Sequence, residues 1–448
     1  MRDIQIKLVN YELLNIKECT IHQAFNEHAE AVISGHIHEE MEEWYLRKSL
    51  TEERAEIIGE DESGNSFFLF CGMIKEISIL NIKGAKGVRI TLCSSSFLTD
   101  LMPKTRCFQD LSITYDQVLD IVMKNYEQPF ACIQSGGTKV IDQLIVQYEE
   151  TDWEFIKRIA SHFETYVVPD ILSKGVSISI GVPFKRKPKT IEVLEYSIKG
   201  QRTCFYYEIK SREYCHIGDC ILFENQQLFV CSVDSSLEGE ELIHTYKIKN
   251  KEDIVCKRYT NNAMIGASLE GHVTDIQNDR VKVKIDQDAC EAGKKWFDYA
   301  TIYSSPDGTG WYCMPEKGDR VRVYFPNEEE NNAYVISSVH VGDNEADART
   351  KPDEKSIKNK YGKEILFKPD SLIITNNKGM LIEINDNEGI SIVSDKSVSI
   401  KSEEAINITS IEDSLQMVAM EEVALKQNES SIVISEDVVI DGGEVKMV

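Results

Sequence analysis

Near the C-terminus, apolar residues recur at intervals of eight: Ile382, Ile390, Val398 and Ile406. A second row, Ile384, Ile392, Ile400 and Ile408, keeps the same step two positions later. Spacing of i, i+2 within each unit puts both side chains on one face of a short strand. The polar runs Ser394-Asp395-Lys396 and Ser402-Glu403-Glu404 read as the turns between strands. The pattern loosens but continues through Leu415/Met417, Val423/Leu425, Ile432/Ile434, Val438/Ile440 and Val445/Met447. So short a unit cannot bury its apolar pair alone, and repeats must stack. Nor can it close a turn of a single-chain solenoid, which takes roughly 20 residues or more. Three chains winding together would supply about 24 residues per turn and enclose the apolar rows on a threefold axis. The spacing therefore predicts a rigid trimeric β-prism whose core is formed by those eight residues.

Upstream, period-two alternation dominates. Ile4, Ile6 and Leu8 alternate, 67–72 reads as a buried strand ending at Gly72, and 88–92 alternates again. Two helices are announced by capping boxes. Thr114-x-x-Gln117 opens a stripe of Tyr115, Val118, Leu119, Val122, Met123 and Tyr126; Thr151-x-x-Glu154 opens one of Trp153, Ile156, Ile159, Ala160 and Phe163. Strands are expected again at 176–180, 217–221 and 228–230. A compact set at 271–273, 281–285, 321–325 and 335–339 suits a small barrel of the oligonucleotide/oligosaccharide-binding (OB) type. The expected division is a hub at 1–260 with a helical segment at about 103–165, an OB barrel at 261–342, a charged linker at 343–364 broken by Pro352, and a spike at 365–448.

Composition narrows the function. The 448 residues carry a formal net charge of −25, which opposes binding to nucleic acid or anionic lipid. No apolar run approaches the 18 or so residues of a spanning helix, and the N-terminal alternation is unlike a signal peptide. Assembly in the cytoplasm, with any export by another route, is the expectation. Twelve cysteines between Cys19 and Cys313 include no Cys-x-x-Cys pair and read as free buried thiols. His36 and His38 could share a strand face but lack a third ligand, so no metal site is expected. There is no nucleophile elbow, zinc-protease motif or phosphate loop. The acidic runs at 149–150, 238–241 and 328–330 read as solvated loops. Lys282, Lys284, Arg320 and Arg322 alternate on barrel strands, but in an acidic setting they argue for a structural adaptor, not a single-strand-binding groove.

Three blocks carry a family resemblance. Ser94-Ser95-Ser96-Phe97-Leu98 is followed by Arg106-Cys107-Phe108-Gln109-Asp110. Gln147-Tyr148-Glu149-Glu150-Thr151-Asp152-Trp153-Glu154-Phe155-Ile156-Lys157-Arg158 is similar to a hub signature, and Gly310-Trp311-Tyr312-Cys313-Met314-Pro315-Glu316-Lys317-Gly318-Asp319-Arg320-Val321 to a barrel segment. In this order, with a β-prism after them, they resemble the spike proteins of contractile injection systems: the valine-glycine repeat protein G of type VI secretion and the late-control protein D group of phages. The resemblance implies a mainly β fold: a trimeric, pseudo-sixfold hub of two β-barrel subdomains with a helical insertion, then an OB barrel and an intertwined triple-stranded β-helix. It implies a spike seated on the inner tube protein and baseplate proteins, with effector cargo, that meets the target membrane only mechanically and leaves the cell by contraction. No catalytic residue, cofactor or metal is carried over, since the terminal His-x-His iron site of many phage spikes is missing here, as are the Val-x-Gly octads. The apolar end, Val445, Met447 and Val448, is expected to contact a small PAAR-like tip protein. A rival reading is a phage tailspike with a glycan-degrading cleft on the prism. It would need aromatics there, and none follows Phe367.

Overall fold

The alternating segments become strands, and eleven strands meet in one sheet. The computed structural model describes all residues except 1–3, 50–53, 61–62, 83, 186, 202–203, 291–292, 339, 341–350, 429 and 435–448. It divides into two compact units, 1–341 and 342–448. The fold is mainly β, in several sheets.

In the first unit, an eleven-stranded antiparallel sheet begins at Gln5–Leu8 and runs through Arg54–Glu60, Ser66–Ile82, Ala85–Cys93, Glu30–His36 and Asn15–Ala24. There it passes to the later part of the chain: Ser232 to Ser236 pair with Ala24 to Thr20, bringing in Gln226–Glu238, Glu241–Lys249, Cys204–Ser211 and Glu195–Gln201. Two separate cores lie along it, one around Ile33, Ile57, Phe70 and Ile90, the other around Ile209, Val230, Tyr246 and Ile248. Strand Ser66–Ile82 does not end at Gly72. A Cβ there would lie 2.5 Å from the Cys93 carbonyl oxygen, so this glycine marks a close backbone approach within the strand. The segment 217–221 is a strand only from Cys220, because Gly218 turns at φ +84°.

Between the two groups of strands in sequence comes a third core. Both capping boxes form, at Thr114 for helix Tyr115–Met123 and at Thr151 for helix Asp152–Ser161. The two apolar stripes pack together with Phe108, Ile145 and Ile178. A further helix, Glu42–Ser49, has no stripe in the sequence to announce it; Tyr45 is its buried anchor.

Residues 268–338 form a five-stranded sheet in the order Trp296–Asp298, Arg280–Ile285, Ser268–Gln277, Arg320–Tyr324 and Tyr334–Ser338. A bridge from Tyr299 to Val335 joins its two ends, which closes the sheet into a barrel. The short strand at Trp296 is the member that alternation alone does not reveal.

The second unit opens with a five-stranded antiparallel meander: Lys355–Lys358, Glu364–Phe367, Ser371–Thr375, Leu381–Asn385 and Gly389–Val393. Residues 355–358, read from sequence as linker, are thus its first strand. Residues 394–422 form no strand, and Val423–Gln427 then pairs with Ser430–Ile434 in a hairpin.

Candidate assembly interface

The meander brings the first four octad residues together. Reversal of direction at each hairpin sets Ile382 opposite Ile392 and Ile384 opposite Ile390. Residues eight apart are therefore not direct partners here. Two apolar rows cross the sheet on one face: Ile357, Ile365, Ile374, Ile382 and Ile392 form one, and Phe367, Leu372, Ile384 and Ile390 the other. This face is open. Ile382, Ile384, Ile390 and Ile392 are 42–73 % exposed, while Leu381, Glu383 and Asn385 on the opposite face are half-buried. That inverts the usual order, and nine apolar side chains on one side are far more than scattered surface residues. Val398, Ile400, Ile406 and Ile408 are equally exposed, but they lie outside any strand and have no strand partner among the described residues. Val438, Ile440 and the tip residues Val445, Met447 and Val448 lie outside the described residues.

A second arrangement, missed by sequence reasoning, occupies the interior of the first unit. Helix Asp152–Ser161 is bonded at both ends. At its start, Thr151 Oγ1 accepts from the Glu154 amide and donates to Asp100 Oδ1 at 2.5 Å. Asp100 Oδ2 lies 3.3 Å from His28 Nε2, and His28 Nδ1 lies 2.9 Å from Ser96 Oγ, which meets Ser94 Oγ at 2.8 Å. The His28 ring rests against Trp153. Burial lowers the His28 pKa, and the Asp100 hydrogen bond only partly offsets this, so the ring stays neutral and bridges two acceptor and donor groups. The Ser94-to-Phe97 block and the hub block are thus joined through one histidine. Although Ser96, His28 and Asp100 are the residue types of a hydrolytic triad, Ser96 is only 1 % exposed, so no substrate reaches it.

At the other end of the helix, Arg158 is buried and donates to three groups. Its Nε and Nη2 bond Glu150 at 2.9 and 2.7 Å, Nη1 bonds Glu330 at 2.8 Å, and Nη2 bonds the Val146 carbonyl at 2.5 Å. Burial works against the charge, but the Glu150 bond and the charges of Glu150 and Glu330 outweigh it and hold the pKa above the ordinary arginine value. Glu150 and Glu330, expected in solvated acidic runs, are 9 % and 4 % exposed. The reason is shared demand for one buried cation by residues 180 positions apart. Beside them Asp152, fully buried, accepts from Lys104, Arg106, Tyr126 and Gln147. Gln147, Glu150, Asp152, Trp153 and Arg158 of the hub block are therefore structural, and each has a defined partner.

On the barrel, the four cations are engaged. Arg320 and Arg322 share Glu270, Lys282 lies over the Trp296 ring, and Lys284 also has a partner. Gly310, in the barrel block, sits at φ +138° with the Tyr303 carbonyl where a Cβ would be, and the loop it shapes holds Trp311 and Tyr312 outward. His36 ends a strand and His38 follows it, exposed; among the described residues no cluster of three His, Cys, Asp or Glu could hold a metal. The cysteines described are free, eight of them buried. Among the described residues no helix is long and apolar enough to cross a membrane.

With this geometry the comparisons become informative. Residues 269–340 match the family model of the type VI secretion system/phage-baseplate injector OB domain. Three solved structures share the larger fold. The E. coli c3393 protein, described as a component of the type VI secretion system structurally similar to T4 bacteriophage tail proteins gp27 and gp5, is 12 % identical, with a TM-score of 0.53 over 75 % of this chain and 100 % of that one. The half-lidded Francisella PdpA–VgrG complex gives 10 % identity and a TM-score of 0.57 over 88 % of each chain. The lidless PdpA–VgrG complex gives 11 % and 0.56 over 88 % of this chain and 98 % of that one. No curated protein matches the sequence. The fold is thus that of spike and baseplate proteins of injection machines. In sequence the injector OB domain stands between the sheet-rich first part and the C-terminal meander, and the fold as a whole is similar to those of c3393 and the PdpA–VgrG complex.

Proposed function

We propose that this chain is the structural central spike of a contractile injection machine, working as a homotrimer. Its hub would cap the inner tube and meet the baseplate, the barrel would join hub to spike, and the spike would breach the target envelope on contraction and deliver effectors. Made in the cytoplasm, it would leave the cell with the fired particle. Its role is mechanical, not catalytic.

The open isoleucine face carries this reading. Covering one such side chain is worth roughly 1.5–3 kcal/mol. Two further copies arranged about a threefold axis would cover all three faces at once. Residues 394–422 add a second reason. A backbone with no strand partner in its own chain finds its hydrogen bonds with water or with neighbouring chains, and the apolar octads favour the neighbours. The spike would then have two zones: one of three meanders side by side, and one in which the chains cross. Sixteen acidic against six basic side chains from residue 366 onward would keep such rods apart in solution.

Light scattering on the intact protein should give three times the 51.0 kDa of one chain. A well-folded monomer at every concentration would falsify the proposal. The tip contact has its own test: removing residues 441–448 should abolish recovery of a PAAR-like partner in a pulldown, and unchanged recovery would sink that part alone.

A further inference from the structure

We propose that the OB barrel is not a separable module but forms one cooperative unit with the strand pair Lys104–Phe108 and Ile145–Glu150, pinned by Arg158. The inference rests on the geometry of the joint. It gives the spike reading a path for load, yet it can fail while that reading survives.

Domains joined by a linker move relative to one another unless their interface is large and apolar. The interface here is a shared core. Cys107 and Val146 of the strand pair, with Leu144 just before its second strand, are fully buried in the same cluster as Val281, Val283, Phe297, Val323 and Val335 of the barrel. Backbone pairing crosses the boundary as well: the Cys107 amide donates to the Gln287 carbonyl, and the Ala289 amide to the Cys107 carbonyl. Burial also raises the Cys107 thiol well above its ordinary pKa, so it remains a neutral core group. Side chains reinforce the seam from both sides. Gln109 Nε2 donates to Asp288 Oδ2 at 3.2 Å, and Asn261 Nδ2 donates to the Tyr148 carbonyl at 2.7 Å.

Arg158 supplies the directional constraint. Its planar fork spends one edge on Glu150, from the strand pair, and its remaining amine on Glu330, from the barrel. A rotation of the barrel would separate a buried carboxylate from the cation bonded to it. An apolar seam alone tolerates some sliding; a buried fork with partners on both sides does not. The barrel would accordingly open only when residues 145–150 open with it, and an excised fragment 261–342 would lack part of its own core.

Native-state hydrogen exchange on the full-length protein in low denaturant tests this directly. Amides of Ile145–Glu150, Ser268–Gln277 and Arg280–Ile285 should exchange through one opening with a single free energy and denaturant slope. Because Arg158→Met leaves two carboxylates buried and unpaired and could prevent folding, Glu330→Gln, which keeps shape and a hydrogen-bond acceptor, is the variant to use. It should speed exchange of all three segments by one common factor, on the order of ten-fold or more, and leave the distant strand Ala85–Cys93 unchanged. Separate openings in the parent protein would overturn the proposal. So would a Glu330→Gln variant that loosens the barrel alone or changes nothing.

Discussion

The two units solve the same problem in opposite ways. In residues 1–341 the large apolar side chains are enclosed by their own chain: Trp153, Phe155, Phe70, Tyr246 and Phe325 are all nearly inaccessible. Among the described residues of 342–448 the isoleucine rows point outward, and in strand Leu381–Asn385 the opposite face is the better protected one. Both regions are built mainly from antiparallel strands with period-two alternation, so the difference does not lie in secondary structure. It lies in chain length per layer. The first unit returns on itself across long sequence distances, as at the pairing of Thr20 to Ala24 with Ser232 to Ser236. The second runs forward in short hairpins, and among its described residues none forms a second layer over the apolar face. On the reading proposed above, other copies would cover that face.

The most forceful way to break that contrast is to charge the open face. Ile384 and Ile390 are opposite each other, and replacing both by Asp puts two carboxylates where the proposed neighbours pack. Since both side chains are exposed in the single chain, its own fold should tolerate the change, while assembly should be lost outright in sedimentation velocity. The thermal transition of the first unit should stay within about 1 °C. If the double variant assembles normally, the face is not the interface.

Next in size is the converse change. Trp153→Ala removes a buried indole packed against His28, with the Lys157 ammonium over its other side. A cost of about 3–5 kcal/mol is expected, read as an early calorimetric transition of the first unit with the subunit count unchanged once it is refolded at low temperature. The two variants together would show that enclosure by the chain and enclosure by copies fail independently.

Acid separates the units more gently. All nine histidines precede residue 341. Burial lowers His28 and His216, and brings His162 and His244 down to about 4. A depressed pKa stabilises above the unfolded value of about 6.5 and is lost as pH falls toward the folded value. Each of the two most shifted rings contributes on the order of 2–3 kcal/mol, withdrawn progressively between about pH 6 and 4. His22 opposes this trend: its hydrogen bond to Asp234 raises it to about 9, so its half-exposed pair helps below about pH 6.5 and fades only toward alkaline pH. In the second unit, protonation of carboxylates relieves mutual repulsion instead. Far-ultraviolet and tryptophan signals of the first unit should therefore be lost at a higher pH than the assembled mass. Simultaneous loss would contradict the separation.

How much of this could be read beforehand depends on range. Capping boxes are local, and both helices begin at Thr114 and Thr151 as the motif requires. Alternation is local too, which is why four barrel strands and the octad faces were visible. The brief Trp296 strand was not, because three residues show no period. Glu150 and Glu330 looked like ordinary members of acidic runs, since their shared Arg158 lies far from Glu330 in sequence and nothing near either signals burial. Gly72 looked like a strand end because its reason, the Cys93 carbonyl, comes from another strand. Residues 355–358 looked like linker because a lysine-rich edge strand whose partner is the next hairpin shows little apolar content.

The smallest effect is also the sharpest test of what the keystone helix adds. Thr114 and Thr151 occupy identical capping boxes, each hydroxyl accepting from the amide three residues on. By local physics their Ala variants should cost the same, about 1 kcal/mol. Thr151, however, also donates to Asp100, the carboxylate bonded to His28, whereas the Thr114 hydroxyl, among the described residues, bonds within its own box. Thr151→Ala should therefore cost roughly twice as much as Thr114→Ala in equilibrium denaturation. Replacing Asp100 by Asn in each background should then separate the two contributions. The excess should shrink in the Thr151 cycle and stay put in the Thr114 cycle. Equal costs at the two caps would mean that helix Asp152–Ser161 is held by its apolar stripe and Arg158 alone, and that the serine–histidine–aspartate chain merely fills space beside it.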